Sequence, residues 1–398
     1  MRILHFNQFG MHVGGVEGYI ADVSHALTAA GHETKLVSFA SENPDHLMLD
    51  TVQVTARDFD AVVFAIEQVI ADFRPDVAYL HVVENPLLVR WICGRLPTIA
   101  YVHSPYLFCP GYALYWRRSA KVCDRAAGSV CIFNAQIKRC CFGRNPFRHI
   151  SRLRQVYALL SATSEVDMLV GGEFMRSRLI ANGVSADKIS LLTPLLFAEP
   201  VSEYMPPSAP EVILFAGRVT IEKGLRQLIQ ALASIQSDWQ LIVAGDGPDR
   251  IACEQLAEHL HVAQRVEFAG WVALADMPAL YRRCAFVVVP SLWPEPYGRS
   301  GPEAFSHGRP VVAYAVGGIP DWLEDGRYGY LAVPGNVDSL RIGIMRLLGN
   351  PDACLRMGRL AQENAYLRWN AAGHVQKLEA CFQSAIGRFI CRRVSLYR

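Results

Sequence analysis

The sequence lacks any long apolar run. No stretch approaches the roughly 18–20 residues of a transmembrane helix, and Met1 to Phe6 lead directly into a strand-like pattern rather than into a secretory apolar core. Without a signal peptide, the eleven cysteines indicate reduced thiols or a metal site rather than a disulfide framework. We therefore expect a soluble cytoplasmic protein, with peripheral contact to the inner face of the cytoplasmic membrane as an open alternative.

Strong net charge is also lacking. The formal net charge is +2, charged residues make up 19% of the chain and hydrophobic residues 51%. This composition excludes a disordered protein and argues against wholesale binding of nucleic acid. The 398 residues are enough for two full domains or three.

The apolar pattern alternates between strands and helices. The strand Arg2–Phe6 is followed by Gly14-Gly15, by a helix with apolar residues at helical spacing, and by the strand Glu33–Phe39. This order predicts an α/β fold with a mainly parallel sheet and right-handed crossovers. Alone, Gly14-Gly15 is more typical of a tight turn than of a ligand-binding loop.

Residues 197–210, rich in proline and acidic residues, interrupt this rhythm and predict a linker. We expect an N-terminal domain over 1–196, a C-terminal domain over 211–370 and a helix over 371–398 that returns to the N-terminal domain. Shorter predictions are a strand at Leu159–Ala162 and a helix at Pro320–Leu323. Ligands should bind at the carboxyl ends of the strands that face a cleft between the two domains.

The stretch 291–310 carries the densest set of candidate ligand-binding residues. A buried strand precedes it, and its prolines and glycines predict an extended loop and then a short helix from Pro302, capped by Ser300 or Gly301. The free N–H groups of such a helix start attract anions, phosphate above all. Glu303 falls in its first turn and Glu295 on the loop.

Two cations flank another strand-to-helix turn. Arg218 offers a planar fork and Lys223 a point charge, a combination suited to a diphosphate. Gly245-Asp246-Gly247-Pro248 lacks the third glycine of a dinucleotide fingerprint, so we interpret it as a tight turn and disfavour a dehydrogenase.

Glu295 and Glu303 also allow a glycosidase hypothesis. Eight residues on one helix would separate them by about 12 Å along the axis, beyond the roughly 5 Å or 6.5–9.5 Å that hydrolases use. A hydrolase has no use for Arg218, Lys223 and a phosphate-facing helix end. This hypothesis ranks low.

Several motifs together carry a family resemblance. They are Phe215–Gly224, Val243–Pro248, Pro294–Gly298 with Glu303-Ala304, Gly308–Ala313 and Gly317–Pro320. In combination they resemble the retaining GT-B glycosyltransferases of family GT4, the glycosyl transferases group 1. The resemblance implies two Rossmann-like domains that face each other across a central cleft.

The resemblance also implies roles for particular residues. Arg218 and Lys223 would neutralise the donor diphosphate and stabilise the leaving nucleotide, and Glu303 would hold the ribose hydroxyls. Glu295 would hold hydroxyls of the transferred sugar. The remaining donor-binding residues that it implies are Gly14, Gly15, Pro296, Tyr297, Gly298, Ser300 and Gly301.

The resemblance places His103 near the donor sugar, as part of a His-Asp pair in many family members. Here Ser104 follows His103. A role that depends on the Asp is therefore not implied, and a structural histidine stays an alternative. The resemblance implies that no metal or other cofactor is required at the reaction centre.

Residues 104–155 form an unusual insert in which Asp124 is the only acidic residue. Its cysteines are zinc candidates with irregular spacing and no CxxC pair: Cys109, Cys123, Cys131, Cys140 and Cys141. Reduced cysteines that fill a loop-rich lobe are the favoured alternative. The many basic and aromatic residues of the insert also suit anionic lipid headgroups or a polyprenyl-diphosphate acceptor.

The sequence therefore predicts a transferase of polysaccharide biosynthesis. It would move a sugar from a nucleoside-diphosphate sugar, a UDP-sugar rather than a GDP-sugar, to a glycan or polyprenyl-linked acceptor. The alternatives are a nucleotide-sugar epimerase with the same fold and a catalytically silent carbohydrate-binding scaffold. We expect no nucleic-acid partner.

Overall fold

The computed structural model describes residues 1–11, 14–40, 47, 49–56, 58–119, 121–140, 143, 145–196, 204–209 and 211–396. Most of the predicted linker 197–210 thus lies outside the described residues. The chain divides into two compact units. The first comprises Met1–Leu114, Asp124–Glu199 and Trp369–Arg398, and the second comprises Tyr115–Cys123 and Pro200–Arg368. No described helix is both long and apolar enough to cross a membrane.

The first unit is built on a parallel sheet. Its strands are β1 (Arg2–Asn7), β2 (Glu33–Ser38), β3 (Thr51–Gln53), β4 (Val77–Leu80), β5 (Thr98–Tyr101), β8 (Asp167–Val170) and β9 (Ile189–Leu191), with the short pair β6 (Tyr115–Trp116) and β7 (Lys121–Val122) between them in the chain. The order in the sheet is β3-β2-β1-β4-β5-β8-β9, and every pairing is parallel. Parallel neighbours bring the carboxyl ends of β1, β4 and β5 side by side.

Helices cover both faces of this sheet. They are α1 (Gly15–Ala29), α2 (Phe59–Phe73), α3 (Pro86–Arg95), α4 (Val130–Ile137), α5 (Pro146–Ala162), α6 (Glu173–Ala181) and the C-terminal α13 (Ala371–Leu396). On one face, α1 and α13 bury a cluster that includes Tyr19, Tyr79 and Phe382. On the other face, α2, α3, α5 and α6 bury a second cluster around Phe6 and Ile92. Alternating strand residues supply the two clusters, as expected for a doubly covered parallel sheet.

The second unit repeats this plan. Its strands are β10 (Val212–Ala216), β11 (Gln240–Ala244), β12 (Val266–Gly270), β13 (Phe286–Val289), β14 (Val311–Tyr314) and β15 (Gly329–Ala332), in the order β12-β11-β10-β13-β14-β15. Its helices are α7 (Leu225–Ala233), α8 (Arg250–His259), α9 (Met277–Arg283), α10 (Ser300–Ser306), α11 (Val337–Leu348) and α12 (Pro351–Arg368). The antiparallel β6–β7 pair belongs to this unit.

Two short predictions were wrong. Leu159–Ala162 is the last turn of α5 and not a strand, because Asn145 caps the start of a 17-residue helix and buried residues recur along it at helical spacing. A short apolar run at a helix end has the same local pattern as a buried strand. At Pro320–Leu323 the chain forms only the 3₁₀ turn Ile319–Asp321.

Candidate functional site

Hydrogen bonds to its backbone carbonyls hold the loop that follows β13 in place. The backbone N–H of Gly318 donates to the carbonyl of Glu295 at 2.8 Å, and the indole of Trp322 donates to the carbonyl of Tyr297 at 2.6 Å. Gly317 has φ = +58°, and a Cβ there would lie 2.2 Å from the Glu295 carbonyl oxygen. Only glycine fits this approach, so the Gly317-Gly318 segment fixes the path of the loop.

Glu295 and Lys223 form an ion pair in which the carboxylate is buried and the lysine is partly exposed. The Lys223 ammonium lies 2.6 Å from Glu295 Oε1, and the Ser291 hydroxyl donates to the same oxygen at 2.6 Å. The Glu295 side chain is 6% exposed. Burial by itself raises the pKa of Glu295, but the charge of Lys223 and the hydrogen bonds from Lys223 and Ser291 outweigh burial and lower it. Glu295 is therefore a carboxylate at neutral pH.

The turn that carries Lys223 is attached to the same loop. Lys223 ends the 3₁₀ turn Ile221–Lys223, and the carbonyl of Glu222 accepts the N–H of Leu292 at 2.8 Å. Gly224 follows with φ = +74°, and a Cβ there would lie 1.9 Å from the Pro290 carbonyl oxygen. The close approach of these two backbones sets the position of the Lys223–Glu295 pair.

Arg218 lies on an exposed turn at the carboxyl end of β10. The N–H of Gly217 donates to the carbonyl of Ala244 at 3.0 Å, and the N–H of Val219 donates to that of Asp246 at 2.9 Å. The turn predicted at 245–248 lies further along the chain: Gly245 forms an antiparallel bridge with Gly270, and the N–H of Arg250 donates to the carbonyl of Gly247 at 3.1 Å. The segment 245–248 also supports the loop that presents Arg218, a role that the sequence did not suggest.

Glu303 is oriented by two neighbours. The hydroxyl of Tyr281 donates to Oε2 at 3.3 Å, and Arg299 Nε lies 3.4 Å from Oε1. The side chain stays 29% exposed and so reaches solvent. Glu303 and Glu295 consequently have separate partners rather than a shared proton.

The helix that carries Glu303 begins earlier than expected. The prediction of a start at Pro302 was wrong, since α10 begins at Ser300 and Arg299 is its N-cap. A Cβ on Gly301 would lie 1.9 Å from the ring of Trp322, so the helix start packs against that indole. The Gly301 N–H donates to the carbonyl of Gly298 at 3.3 Å and is already engaged in the turn.

The first unit contains the other predicted residues. Gly14 is the N-cap of α1 and Gly15 its first residue. His103 lies two residues beyond β5, and a hydrogen bond of 2.9 Å joins its Nε2 to His81 Nδ1, with the donor set by the tautomer. His81 Nε2 in turn lies 3.0 Å from His5 Nδ1. The sequence analysis did not single out His5, which lies within β1, or His81, which directly follows β4.

Ser291, Tyr281 and Trp322 were also missed. Each is buried and donates a hydrogen bond to a predicted site residue: Ser291 to Glu295, Tyr281 to Glu303, and Trp322 to the carbonyl of Tyr297. Their one signal in the sequence is a polar or aromatic residue beside an apolar strand or turn, which is common in any α/β protein. Only the folded chain distinguishes them.

The described residues of the insert contain no metal cluster. Within the described part of the chain, no three histidine, cysteine, aspartate or glutamate side chains form a group that would hold a metal ion. Cys109, Cys123, Cys131 and Cys140 therefore have no zinc site there, and Cys141 lies outside the described residues. Arg117, on the β6–β7 hairpin, instead forms an ion pair with Glu222 at 3.1 Å.

A separate protein-family model matches a segment in each half of the chain. Residues 13–139 match the model described as Glycosyltransferase Family 4, and residues 202–364 match the model described as Glycosyl transferases group 1. The chain belongs to the GT4-type glycosyltransferases. The resemblance drawn from the sequence motifs is thereby confirmed.

Curated relatives of this GT4-type chain match it over part of their length. It is 36% identical over 142 residues to an uncharacterized glycosyltransferase of Methanocaldococcus jannaschii, with 35% of this chain and 36% of that protein covered. It is 35% identical over 161 residues to 2-deoxystreptamine glucosyltransferase of Streptomyces kanamyceticus, with coverage of 39% and 41%. The matched part spans well under half of either relative.

Solved structures share the whole fold of this GT4-type chain. HepE of Anabaena in complex with UDP superimposes with a TM-score of 0.72 at 19% identity, covering 96% of this chain and 100% of that one. Sucrose-phosphate synthase of Thermosynechococcus elongatus gives 0.73 at 19% identity, with coverage of 97% and 99%. The predicted α/β fold of the GT-B class is confirmed.

Proposed function

We propose that this chain is a retaining glycosyltransferase that moves a sugar from a nucleoside-diphosphate sugar to a hydroxyl of a glycan or lipid-linked acceptor. The Lys223–Glu295 pair is the observation that carries this proposal. It holds an ammonium and an ionised carboxylate 2.6 Å apart beyond the carboxyl end of β13. Ligands of open α/β sheets bind at such strand ends.

Each charge of this pair suits one part of the donor. Lys223 and the exposed Arg218 supply positive charge to the diphosphate as the bond to the sugar breaks. The carboxylate of Glu295 accepts hydrogen bonds from sugar hydroxyls. The general acid of a glycosidase needs a raised pKa. The pKa of Glu295 is lowered instead, which supports sugar transfer over hydrolysis.

We assign the other donor contacts by resemblance and geometry. Glu303, oriented by Tyr281, holds the ribose hydroxyls, and the backbone of Pro296–Gly298 with the N–H of Ser300 completes the contacts in the second unit. In the first unit we assign Gly14 and Gly15 to the diphosphate and His103 to the sugar. Because cationic side chains supply the charge, we expect turnover to persist in EDTA.

Nucleotide release from the donor in the presence of acceptor tests this assignment. Lys223→Ala and Glu303→Ala should each lower turnover by about 10²–10³-fold, the loss typical of one missing transition-state contact. Lys35→Ala is the matched control, since Lys35 is also 23% exposed and ion-paired, to Asp50 at 2.7 Å. Full activity of both site variants would refute the assignment.

We propose UDP as the nucleotide of the donor. The structures of HepE with UDP and with UDP-glucose support this choice by analogy alone. UDP should raise the melting temperature, because a ligand that binds only the folded state stabilises it, and GDP should raise it less. A larger shift with GDP would reverse the choice, and no shift with either would favour a silent scaffold.

The acceptor proposal rests on the surface of the insert. Three apolar side chains of α4 are exposed, Val130 to 46%, Phe133 to 68% and Ile137 to 56%, and Phe147 at the start of α5 is 79% exposed. Arg139 and Arg148 are exposed beside them in sequence. This combination of aromatic and basic side chains suits an anionic membrane surface, from which we propose a lipid-linked acceptor and a peripheral location on the cytoplasmic membrane.

Sedimentation with vesicles tests the membrane proposal. The chain should bind vesicles that contain phosphatidylglycerol and not pure phosphatidylcholine, and the double variant Phe133→Ser/Phe147→Ser should release it. Phe64→Ser is the matched control, since Phe64 on α2 is 67% exposed. Equal binding by all variants would exclude this surface as the contact.

A further inference from the structure

A polar cluster of the first unit lies beside the carboxyl end of β4. Glu84 stands on the short loop between β4 and α3, and Arg152 and Gln155 come from α5. Arg152 Nη1 lies 3.3 Å from Glu84 Oε2, and the amide of Gln155 donates to the Glu84 carbonyl at 2.7 Å. The carboxyl end of the neighbouring strand β5 leads to His103. The cluster therefore lies at the edge of the sheet where ligands of parallel sheets bind.

Tyr112 fixes the geometry of the charged pair. Its hydroxyl donates to Glu84 Oε2 at 3.2 Å and accepts from Arg152 Nη1, and the guanidinium carbon lies 4.9 Å from the centre of its ring. Burial and the charge of Glu84 raise the pKa of Tyr112 to about 12, so the hydroxyl keeps the proton that it donates. The hydroxyl thereby holds the carboxylate and the guanidinium in one arrangement.

Both charged side chains also reach solvent. Glu84 is 37% exposed and Arg152 is 29% exposed. Their side-chain hydrogen bonds to other described residues use only Glu84 Oε2 and Arg152 Nη1. Glu84 Oε1 can therefore accept from a ligand, and Arg152 Nε and Nη2 can donate to it. Two neighbouring hydroxyls of a sugar ring match such a fixed acceptor and donor, because each hydroxyl both donates and accepts.

The cluster carries no net charge. The carboxylate of Glu84 balances the guanidinium of Arg152, and the other two side chains are neutral. A phosphate that contacts Arg152 would meet the like charge of Glu84 in the same contact, which is unfavourable. An uncharged sugar avoids this repulsion and uses both partners. The chemistry of the cluster therefore favours a neutral sugar over an anion.

We propose that Glu84 and Arg152, positioned by Tyr112 and Gln155, bind the acceptor through an uncharged sugar that has two neighbouring hydroxyls. Glu84 Oε1 accepts from one hydroxyl, and Arg152 donates to the other. The role as acceptor site rests on the proposed function, whereas the binding of an uncharged sugar does not. In a lipid-linked acceptor, the phosphate groups then lie away from this cluster.

Saturation-transfer NMR of the full chain without a donor tests the binding. The probes are the methyl glycosides of glucose, galactose, mannose and N-acetylglucosamine. We expect at least one to bind, and Glu84→Gln to weaken it by about 10-fold or more, the loss typical of a hydrogen bond to a charged group. Glu67→Gln is the matched control, since Glu67 is 35% exposed and ion-paired to Arg95 at 2.9 Å. If Glu84→Gln weakens none of the four glycosides, the proposal is wrong.

Two further variants test the arrangement of the cluster. Arg152→Gln should weaken the glycoside about as much as Glu84→Gln does, because both partners contact the sugar. Tyr112→Phe keeps both charges and the ring, so it should weaken binding by a smaller factor of about 2- to 10-fold, the loss of one neutral hydrogen bond. Wild-type affinity in Arg152→Gln would overturn the contact with two hydroxyls.

Inorganic phosphate tests the class of ligand. It should not displace the glycoside from the wild type, because the carboxylate of Glu84 repels it. Displacement of the glycoside by phosphate would show that the cluster is an anion site and would overturn the proposal.

Kinetics with the bound glycoside as acceptor connect the cluster to sugar transfer. Glu84→Gln should raise the KM of the acceptor by about 10-fold, as one charged hydrogen bond is lost, and leave the shift of the melting temperature by UDP unchanged. An unchanged acceptor KM would overturn the role in acceptor binding. Glycoside binding that depends on Glu84, without nucleotide release from any donor, would refute the proposed function and leave the sugar site established.

Discussion

At the scale of single residues, the Lys223–Glu295 pair stands out by its burial. The carboxylate is 6% exposed and has both an ammonium and the Ser291 hydroxyl within hydrogen-bond distance. An isolated buried carboxylate would be costly, so the ionised state depends on these two partners. The charges proposed to bind the donor also hold together two loops that are 72 residues apart in the chain.

Lys223→Met should destabilise the chain at neutral pH by about 3 kcal/mol, because it leaves the Glu295 carboxylate uncompensated. The folded-state pKa of Glu295 lies below its unfolded value, so the stabilisation is present above the unfolded pKa and is lost as pH falls through the folded pKa. Urea unfolding at pH 7.5 measures the change. Adding Glu295→Gln to Lys223→Met should recover most of the lost stability. A double variant as unstable as Lys223→Met alone would contradict this account.

At the scale of elements, strand ends and glycines are what the sequence predicts best. Parallel strands appear as short apolar runs, and the positions of Gly224 and Gly317 coincide with backbone approaches that exclude a side chain. The predicted starts and ends of short elements were less accurate. Helix α10 begins two residues before the predicted start, and Trp322 packs on Gly301 in its first turn, a contact that no local pattern records.

Gly317→Ala should distort the loop that carries Glu295. The control is Gly326→Ala, since Gly326 has φ = +76° and no neighbour within 4 Å of a Cβ, so it has the backbone strain without the clash. We expect about 1 kcal/mol of destabilisation for Gly326→Ala and about 1–3 kcal/mol more for Gly317→Ala. Only Gly317→Ala should also weaken UDP binding. Thermal unfolding with and without UDP measures both effects, and equal behaviour of the two variants would show that the close approach is unimportant.

At the scale of the whole molecule, buried neutral histidines make the fold sensitive to acid. Burial lowers the pKa of His374 to about 4, while smaller effects of the Thr193 backbone and the Lys377 charge raise and lower it, respectively. Burial also lowers the pKa values of His5 and His81. These groups bind more protons when unfolded. Their stabilisation is therefore complete above the unfolded pKa near 6.5 and is lost as pH falls towards the folded values.

Stability should be nearly constant above pH 7 and fall between pH 6.5 and 4. His374 alone should account for about 2 kcal/mol between pH 7.5 and 5. His374→Gln keeps a polar partner for Tyr19, 3.2 Å away in the wild type, and should flatten this part of the profile. Urea unfolding across the pH range measures it, with the exposed His25→Gln as control. An unchanged profile in His374→Gln would contradict the assignment.

The sequence by itself determined the α/β architecture, the family and the residues that carry charge at the strand ends. These follow from local properties: periodicity, glycines and prolines at turns, and motif spacing. Tertiary structure alone decided which side chains meet. Lys223 reaches Glu295 because β10 lies beside β13 in its sheet, and His81 reaches both His5 and His103 because β4 lies between β1 and β5. Strand order arises from pairing between distant segments, and no local pattern contains it.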